Sequence, residues 1–135
     1  EKLAENLYSD YGHHPVEIQA TLQMAKELSN DVVLVYQPHQ NVRQHEIIDQ
    51  YTDSIFHDAN EIYWLPTYLT RENPDLPILT PQQLAKNIDK EKVHFAKLDD
   101  SLWQEITAAR NSGKLVLCMG AGTIDGWIRE QLAKN

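Results

Sequence analysis

Two short segments of this sequence concentrate the side chains that bind anions. The first is Asp10-Tyr11-Gly12-His13-His14-Pro15, and the second is Gln37-Pro38-His39-Gln40-Asn41-Val42-Arg43. His39 and Arg43 are four positions apart, so they could share one face of a helix. Together with the first segment they would form a cationic corner on a chain whose net charge is −8. Such a corner suits a small carboxylate or phosphate, because a guanidinium presents paired N–H donors to either anion.

A third polar segment, Gly120-Ala121-Gly122-Thr123, follows the apolar run at 114–119. Its GxG pattern is typical of the start of a dinucleotide-binding loop, but the third glycine of GxGxxG would fall at Asp125. The pattern therefore predicts a tight turn from strand to helix. It leaves open an anion contact at the N-terminus of that helix.

Each of the other candidates also has a purely structural interpretation. Asp10 could cap the helix that follows it, since aspartate is a favoured N-cap residue. The adjacent His13 and His14 could form a turn with one buried imidazole, and an exposed pair of His39 and Arg43 could be solvated surface. A zinc site built from the three histidines would lack a fourth partner, so we predict no metal site.

Composition and missing motifs exclude several classes of protein. A pI near 5.1 disfavours a nucleic-acid partner, because phosphate backbones are bound by clustered lysine and arginine. We expect no membrane partner, since no apolar run reaches about 18 residues and no secretory signal is evident. The sequence has no GxxxxGK[ST] phosphate loop and no GxSxG motif. Its one cysteine, Cys118, falls in a predicted buried strand, where a thiol is usually inert.

The elements that must position these residues alternate along the chain. Apolar runs predict strands at 32–36, 61–65, 93–96 and 114–119, with a short polar edge strand at 6–10. Helical periodicity and capping residues predict helices at 15–28, 42–57, 82–88, 102–110 and from after Gly122 to about Ala133. The segment 67–80 is predicted to be a long surface loop. Two of its residues, Arg71 and Glu72, could contact a partner domain.

The alternation of strands and helices predicts an α/β fold. We expect a three-layer sandwich in which a mostly parallel sheet of about five or six strands carries helices on both faces. The length fits one domain over residues 1–135, since domains most often have about 100–150 residues. In such a sheet ligands bind at the carboxyl ends of the strands. All three polar segments follow predicted strands, so we expect them to lie at one edge of the sheet.

The three segments, in this order and spacing, resemble a known family. They are similar to the C-terminal domain of a Mur ligase through Asp10-Tyr11-Gly12-His13-His14-Pro15 with Glu17, Gln37-Pro38-His39 with Arg43, and Met119-Gly120-Ala121-Gly122. The resemblance spans about the whole chain. It departs from the family at Gln40 and Asn41, where arginine and tyrosine are usual, so one expected cation is missing.

The resemblance implies that the chain is the Rossmann-like third domain of a three-domain, cytoplasmic bacterial ligase. The implied partners are the N-terminal and central domains of the same enzyme, with UDP-N-acetylmuramate and L-alanine as substrates. ATP and Mg²⁺ are the implied cofactors, the metal being held mainly by the central domain. Because the chain has no phosphate loop, we expect no complete catalytic set in it and no activity of the chain alone.

The resemblance also implies a role for individual residues. Asp10 would bind the ATP ribose, and Tyr11 would line the nucleotide pocket. His13, His39 and Arg43 would bind the amino-acid substrate, with its carboxylate on the basic groups. The other residues expected to line the cleft are His14, Gln40, Gly120 and Gly122.

Other interpretations stay open from the sequence. A related Mur ligase recycles a peptide by attaching it to UDP-N-acetylmuramate. A stand-alone α/β module that binds a small anion or nucleotide would need the same polar segments. An interaction domain with purely structural histidines is the third alternative.

Overall fold

The computed structural model describes residues 1–134. Its strands are β1 (Lys2–Ala4), β2 (Leu7–Asp10), β3 (Val32–Tyr36), β4 (Glu61–Trp64), β5 (Val93–Phe95) and β6 (Leu115–Met119). Its helices are α1 (Pro15–Leu28), α2 (Asn41–Ile47), α3 (Pro81–Leu84), α4 (Asp100–Asn111) and α5 (Ile124–Ala133), with a 3-10 turn at Ile48–Gln50. Within the described residues, no helix is long and apolar enough to cross a membrane.

The strands form one sheet in the order β1-β2-β6-β3-β4-β5. β1 runs antiparallel to β2, and every other neighbouring pair is parallel. This confirms the predicted α/β fold with a mostly parallel sheet. The prediction that the first strand lies at the edge is wrong, because β2 sits between β6 and the three-residue β1. A strand as short as β1 carries too few residues for a periodic signal.

The central strands β3 and β6 are buried along their whole length because helices cover both faces of the sheet. Alternate side chains of β3 enter two separate hydrophobic clusters. Val32, Leu34 and Tyr36 join a cluster that includes α1, whereas Val33 and Val35 join one that includes α4 and α5. Burial on both faces explains why these strands appear in the sequence as continuous apolar runs.

Helix α1 begins where the sequence predicts, but its N-cap is His14 and not Asp10. The Nδ1 atom of His14 accepts a hydrogen bond from the Val16 N–H at 3.2 Å. Glu17 completes a capping box by accepting from the His14 N–H at 3.1 Å. Asp10 lies too far upstream to cap, and its Oδ1 accepts from the Gly12 N–H at 2.6 Å instead.

The predicted helix at 42–57 is wrong in its extent. Helix α2 ends at Ile47, and Tyr51 has an extended backbone with φ −79° and ψ 93°. That conformation turns the Tyr51 ring into the core, where it packs edge-on against Trp64 with the ring centroids 5.1 Å apart. Tertiary packing thus ends the helix before its apolar pattern does.

Two smaller predictions also need correction. The helix expected at 82–88 stops at Leu84, although Ala85 and Ile88 are buried as that pattern suggested. Helical spacing predicts that Leu28 shares the buried face of Ile18, Leu22 and Ala25, but it is 66% exposed. At 3.6 residues per turn it lies about 80° around the helix from Ile18 and about 60° from Ala25, beyond the margin of that buried stripe.

Candidate functional site

The strand order brings the three polar segments together at the carboxyl edge of the sheet. They follow β2, β6 and β3, which are consecutive neighbours in the sheet. The Gly120 N–H donates to the Asp10 carbonyl at 3.0 Å, and the Gln37 N–H donates to the Met119 carbonyl at 2.9 Å. The prediction that these segments share one edge is therefore confirmed.

A cluster of aromatic rings lies at the centre of this edge. The rings of His13 and His39 are 5.2 Å apart between centroids, and Tyr68 stacks on His39 at 5.5 Å with an interplanar angle of 17°. His39 does not share a helical face with Arg43, because it precedes α2 and forms an isolated bridge with Tyr68. Gly122 permits this arrangement, since a Cβ there would lie 2.5 Å from the Cγ of Tyr68.

A buried hydrogen-bond chain holds the two histidine segments in place. The Tyr36 hydroxyl lies 2.9 Å from the His13 carbonyl and 2.7 Å from the Tyr51 hydroxyl. The Tyr51 hydroxyl reaches Gln44 Oε1 at 2.6 Å, and Gln44 Nε2 donates to the His39 carbonyl at 3.0 Å. Buried polar groups of this kind define backbone positions, because each unmade bond would be costly.

His39 lies in a cationic environment. Burial lowers its pKa, and the charges of His13, Arg43 and Arg71 lower it further, whereas Glu72 opposes them. Its Nδ1 atom is buried and has no hydrogen-bond partner within residues 1–134. The neutral imidazole is therefore favoured beside two arginines, which leaves the positive charge on the guanidinium groups.

The loop at 67–80 is bound to the start of α2 by Glu72. The Glu72 carboxylate accepts hydrogen bonds from the N–H groups of Thr70, Asn41 and Val42 at 2.9–3.0 Å. Burial opposes ionisation of Glu72, but these hydrogen bonds together with the nearby His39 lower its pKa. The carboxylate is thus an ionised anchor for the loop and for α2. The sequence indicates Glu72 only as a possible contact with a partner domain.

Asn41 makes a second attachment between α2 and the same loop. Its side chain is buried, with Oδ1 accepting from the Leu79 N–H at 2.8 Å and Nδ2 donating to the Pro77 carbonyl at 3.0 Å. Gln40 points its amide Nε2 to the Thr70 carbonyl at 3.2 Å. Gln40 and Asn41, at which the sequence departs from the Mur ligase pattern, therefore hydrogen-bond α2 and its preceding segment to the 67–80 loop.

Asp10 and Tyr11 lie at the other end of the edge, beside α5. One oxygen of Asp10 accepts from Gly12, and the other has no hydrogen-bond partner among the described residues. Tyr11 is 61% exposed, and its hydroxyl donates to Asp125 at 3.1 Å. A carboxylate with one free oxygen can accept hydrogen bonds from the hydroxyl groups of a ligand.

Asp125 is a site residue that the sequence did not reveal. Its carboxylate accepts from the Ser9 hydroxyl at 2.7 Å, from Tyr11 and from Arg129 Nε at 2.9 Å. Burial opposes ionisation, but these three hydrogen bonds lower the Asp125 pKa. Asp125 and Tyr11 are 114 positions apart in the chain, so only the fold brings them together.

The glycine-rich turn after β6 packs closely against Gln37. Gln37 Oε1 accepts from the Ile124 N–H at 3.1 Å, and its Nε2 donates to the Thr123 hydroxyl at 2.9 Å. The start of α5 is therefore already capped by a side chain. A Cβ on Gly120 would lie 2.9 Å from the Gln37 carbonyl oxygen, which explains the glycine there.

A separate cavity of about 820 Å³ lies towards the edge strand β5. Among the residues that line it are Glu61, Tyr63, His94 and Glu105. Its volume exceeds that of the other cavities described, but it is remote in the sheet from β2 and β6. The cationic groups and the free Asp10 oxygen are at the strand-end edge, which makes that edge the candidate site.

Fold and site together define a Rossmann-like α/β domain with polar and cationic side chains gathered at its strand ends. A profile of the family described as "Mur ligase, glutamate ligase domain" matches residues 2–122. The chain therefore belongs to the Mur ligase family. The resemblance inferred from the three sequence segments is confirmed by this match.

Two curated relatives of this chain share one name. The UDP-N-acetylmuramate–L-alanine ligase of Novosphingobium aromaticivorans is 34% identical over 127 residues, which cover 92% of this chain and 27% of the relative. The ligase of that name from Rickettsia massiliae is 36% identical over 134 residues, which cover 93% of this chain and 27% of that relative. The chain thus spans about a quarter of the length of the curated relatives it matches.

A solved structure shows the same fold. It is the crystal structure of a domain ascribed to a UDP-N-acetylmuramate:L-alanyl-γ-D-glutamyl-meso-diaminopimelate ligase of Haemophilus ducreyi. The alignment covers 99% of this chain and 95% of that chain, with a TM-score of 0.54 and 18% identity. At that identity the likeness supports the architecture alone.

Proposed function

We propose that residues 1–135 are the C-terminal domain of an ATP-dependent ligase that joins L-alanine to UDP-N-acetylmuramate. The observation that carries the proposal is the gathering of Asp10, His13, His39 and Arg43 at one sheet edge in a member of the Mur ligase family. The names of the relatives supply the two substrates. In this assignment the partners are the N-terminal and central domains of the same polypeptide.

The proposed reaction has two steps. The substrate carboxylate attacks the γ-phosphorus of ATP, and breaking the bond to the β-phosphate oxygen releases ADP and leaves an acyl phosphate. The amine of L-alanine then attacks the acyl carbon, loses a proton and expels inorganic phosphate to form the amide. Mg²⁺ and the phosphate-binding loop belong to the central domain, because this chain has no GxxxxGK[ST] motif.

In this proposal the residues of the chain bind and orient the substrates. The free oxygen of Asp10 accepts from the ATP ribose, with Tyr11 beside the nucleotide. Arg43, which has no ion-pair partner within residues 1–134, receives the carboxylate of the amino acid. Closure of this domain over the other two excludes water from the acyl phosphate, which water would otherwise hydrolyse.

The experiment is phosphate release by the whole polypeptide that carries this chain. ATP, Mg²⁺ and UDP-N-acetylmuramate are supplied with alanine, serine, glycine or the tripeptide L-alanyl-γ-D-glutamyl-meso-diaminopimelate. We expect release that requires both the sugar nucleotide and alanine, and no release by residues 1–135 alone. Release only with the peptide would instead establish the recycling reaction. No release from the folded polypeptide would leave a binding module.

A further inference from the structure

The arginine residues of the chain fall into two groups. Arg110 donates to the Glu5 carbonyl at 3.0 Å, and Arg129 is paired with Asp125 and Glu1 at 2.9 Å. Arg43 and Arg71, by contrast, have no hydrogen bond or ion pair with any of residues 1–134. On a chain with a net charge of −8, two unpaired guanidinium groups are conspicuous.

The backbone places Arg71 beside the start of α2. Its neighbour Thr70 accepts a hydrogen bond from Gln40 Nε2 at 3.2 Å through its carbonyl. Its other neighbour, Glu72, accepts from the N–H groups of Asn41 and Val42, each at 3.0 Å. Both sequence neighbours of Arg71 are therefore hydrogen-bonded to the segment between His39 and Arg43.

Arg71 is held in a backbone conformation that arginine rarely adopts. Its φ is +53°, in the left-handed region that a residue with a Cβ atom adopts only with strain. The hydrogen bond from the Thr70 N–H to Glu72 at 2.9 Å spans this residue and keeps the turn closed. The loop thus fixes the backbone of an exposed arginine, whereas a glycine would fit the turn with less strain.

The electrostatics of His39 place the charge of Arg71 near the site. Burial is the main cause of the lowered His39 pKa, followed by the charges of His13 and Arg43, and the charge of Arg71 acts in the same direction. Glu72 acts in the opposite direction, but its carboxylate is occupied by backbone N–H groups. The guanidinium groups of Arg43 and Arg71 are therefore left to bind an external anion.

We propose that Arg71 is a substrate-binding residue that holds the carboxylate of the amino-acid substrate together with Arg43. This inference rests on the proposed ligase function and adds a residue from the 67–80 loop to that site. The charges of Arg43 and Arg71 both act on His39, and two guanidinium groups can give one carboxylate charge-assisted hydrogen bonds. An amino-acid amide lacks the negative charge and should bind more weakly, because its carbonyl oxygen is a neutral acceptor.

The first test is steady-state kinetics of the whole polypeptide with Arg71→Gln and Arg71→Lys. We expect the KM for the amino acid to rise about tenfold in Arg71→Gln with the KM for ATP unchanged, and Arg71→Lys to recover part of the loss. Lys90→Gln is the matched control, because it removes one exposed charge elsewhere. An unchanged amino-acid KM, or a rise confined to ATP, overturns the role of Arg71.

The second test does not depend on turnover. In the same polypeptide with ¹³C-labelled histidine, NMR titration should show the His39 pKa rising in Arg71→Gln and in Arg43→Gln, but not in Lys90→Gln. An unchanged His39 pKa in Arg71→Gln overturns the placement of the charge. If the wild-type polypeptide turns over no amino acid while the His39 pKa still rises in Arg71→Gln, the proposed ligase reaction and the amino-acid role of Arg71 both fail, whereas the placement of the Arg71 charge near His39 stands.

Discussion

At the scale of single residues, the polar side chains of the strand-end edge differ in chemistry. Asp10 offers a free carboxylate oxygen at one end, and Arg43 offers an unpaired guanidinium at the other. The aromatic contact between His13 and His39 lies between them. An acceptor for hydroxyl groups and a donor for a carboxylate should therefore recognise different substrates, which makes their roles separable by experiment.

Substitution of these two residues should affect the two substrates differently. In the whole polypeptide, we expect Arg43→Ala to raise the KM for the amino acid about 10- to 100-fold, since a hydrogen bond to a charged group contributes about 1.5–3 kcal/mol. Asp10→Ala should mainly raise the KM for ATP. Steady-state kinetics with each substrate varied in turn measures both effects, and equal effects of each variant on both substrates would contradict the assignment.

A second residue-scale prediction concerns Asp125 and stability. Its pKa is lowered in the folded chain, so its contribution is present above the unfolded pKa of about 3.9 and is lost as the pH falls through the folded value. We expect Asp125→Asn to lower the free energy of unfolding by about 1–2 kcal/mol at pH 7 and by much less near pH 3.

Urea unfolding of the two chains at both pH values measures this difference. Asp75→Asn is the control, because it removes a carboxylate from an exposed loop position. A loss of stability that is the same at pH 3 and pH 7 would show that the charge of Asp125 is not responsible.

At the scale of elements, the start of α1 connects the site to the helix behind it. His14 was expected to line the cleft, and its imidazole is the N-cap of α1. Its neighbour His13 is left free to contact His39, with its own carbonyl held by Tyr36. Of the two adjacent histidines, His14 thus caps α1 and His13 contacts the ring of His39.

The capping role of His14 can be tested by substitution. We expect His14→Ala to destabilise the chain by about 1 kcal/mol, the usual cost of a lost N-cap, and His14→Asn to restore most of it. Thermal or urea unfolding gives the values, and His57→Ala, at an exposed histidine, is the control. Equal stability of His14→Ala and the wild type would remove the capping box as a determinant of α1.

At the scale of the whole molecule, β6 connects both hydrophobic clusters through one central strand. Cys118 lies in that strand, fully buried, and burial raises the pKa of its thiol to about 12. The thiolate is the form that reacts with alkylating agents, so almost none is available at neutral pH in the folded chain. Because it is the single cysteine, its reactivity reports on the fold as a whole.

We therefore expect Cys118 to resist iodoacetamide at pH 7.5 until the chain unfolds. Labelling followed by mass spectrometry across a urea series should coincide with the unfolding transition seen by circular dichroism. Complete labelling within minutes in the absence of urea would contradict the burial of β6.

The sequence by itself determined the local features of this protein. Strand β3 and helix α1, and to within two residues strand β6 and helices α4 and α5, follow from apolar periodicity and capping residues, which act between near neighbours. The sequence also predicted that the three polar segments follow strands, because each comes directly after a strand-like run. Where an apolar pattern continued past a turn, as from Ile47 to Tyr51, the local signal failed because packing against Trp64 decided the backbone.

Only the tertiary structure decided which distant residues meet. The order β2-β6-β3 joins segments that are far apart in the chain, and it brings Asp125 to Tyr11 and Glu72 to Asn41. Backbone hydrogen bonds between strands are the same for every sequence, so strand order depends on the packing of whole faces and helices. For that reason the sequence indicated which residues reach the strand-end edge, and the fold determined how they are arranged there.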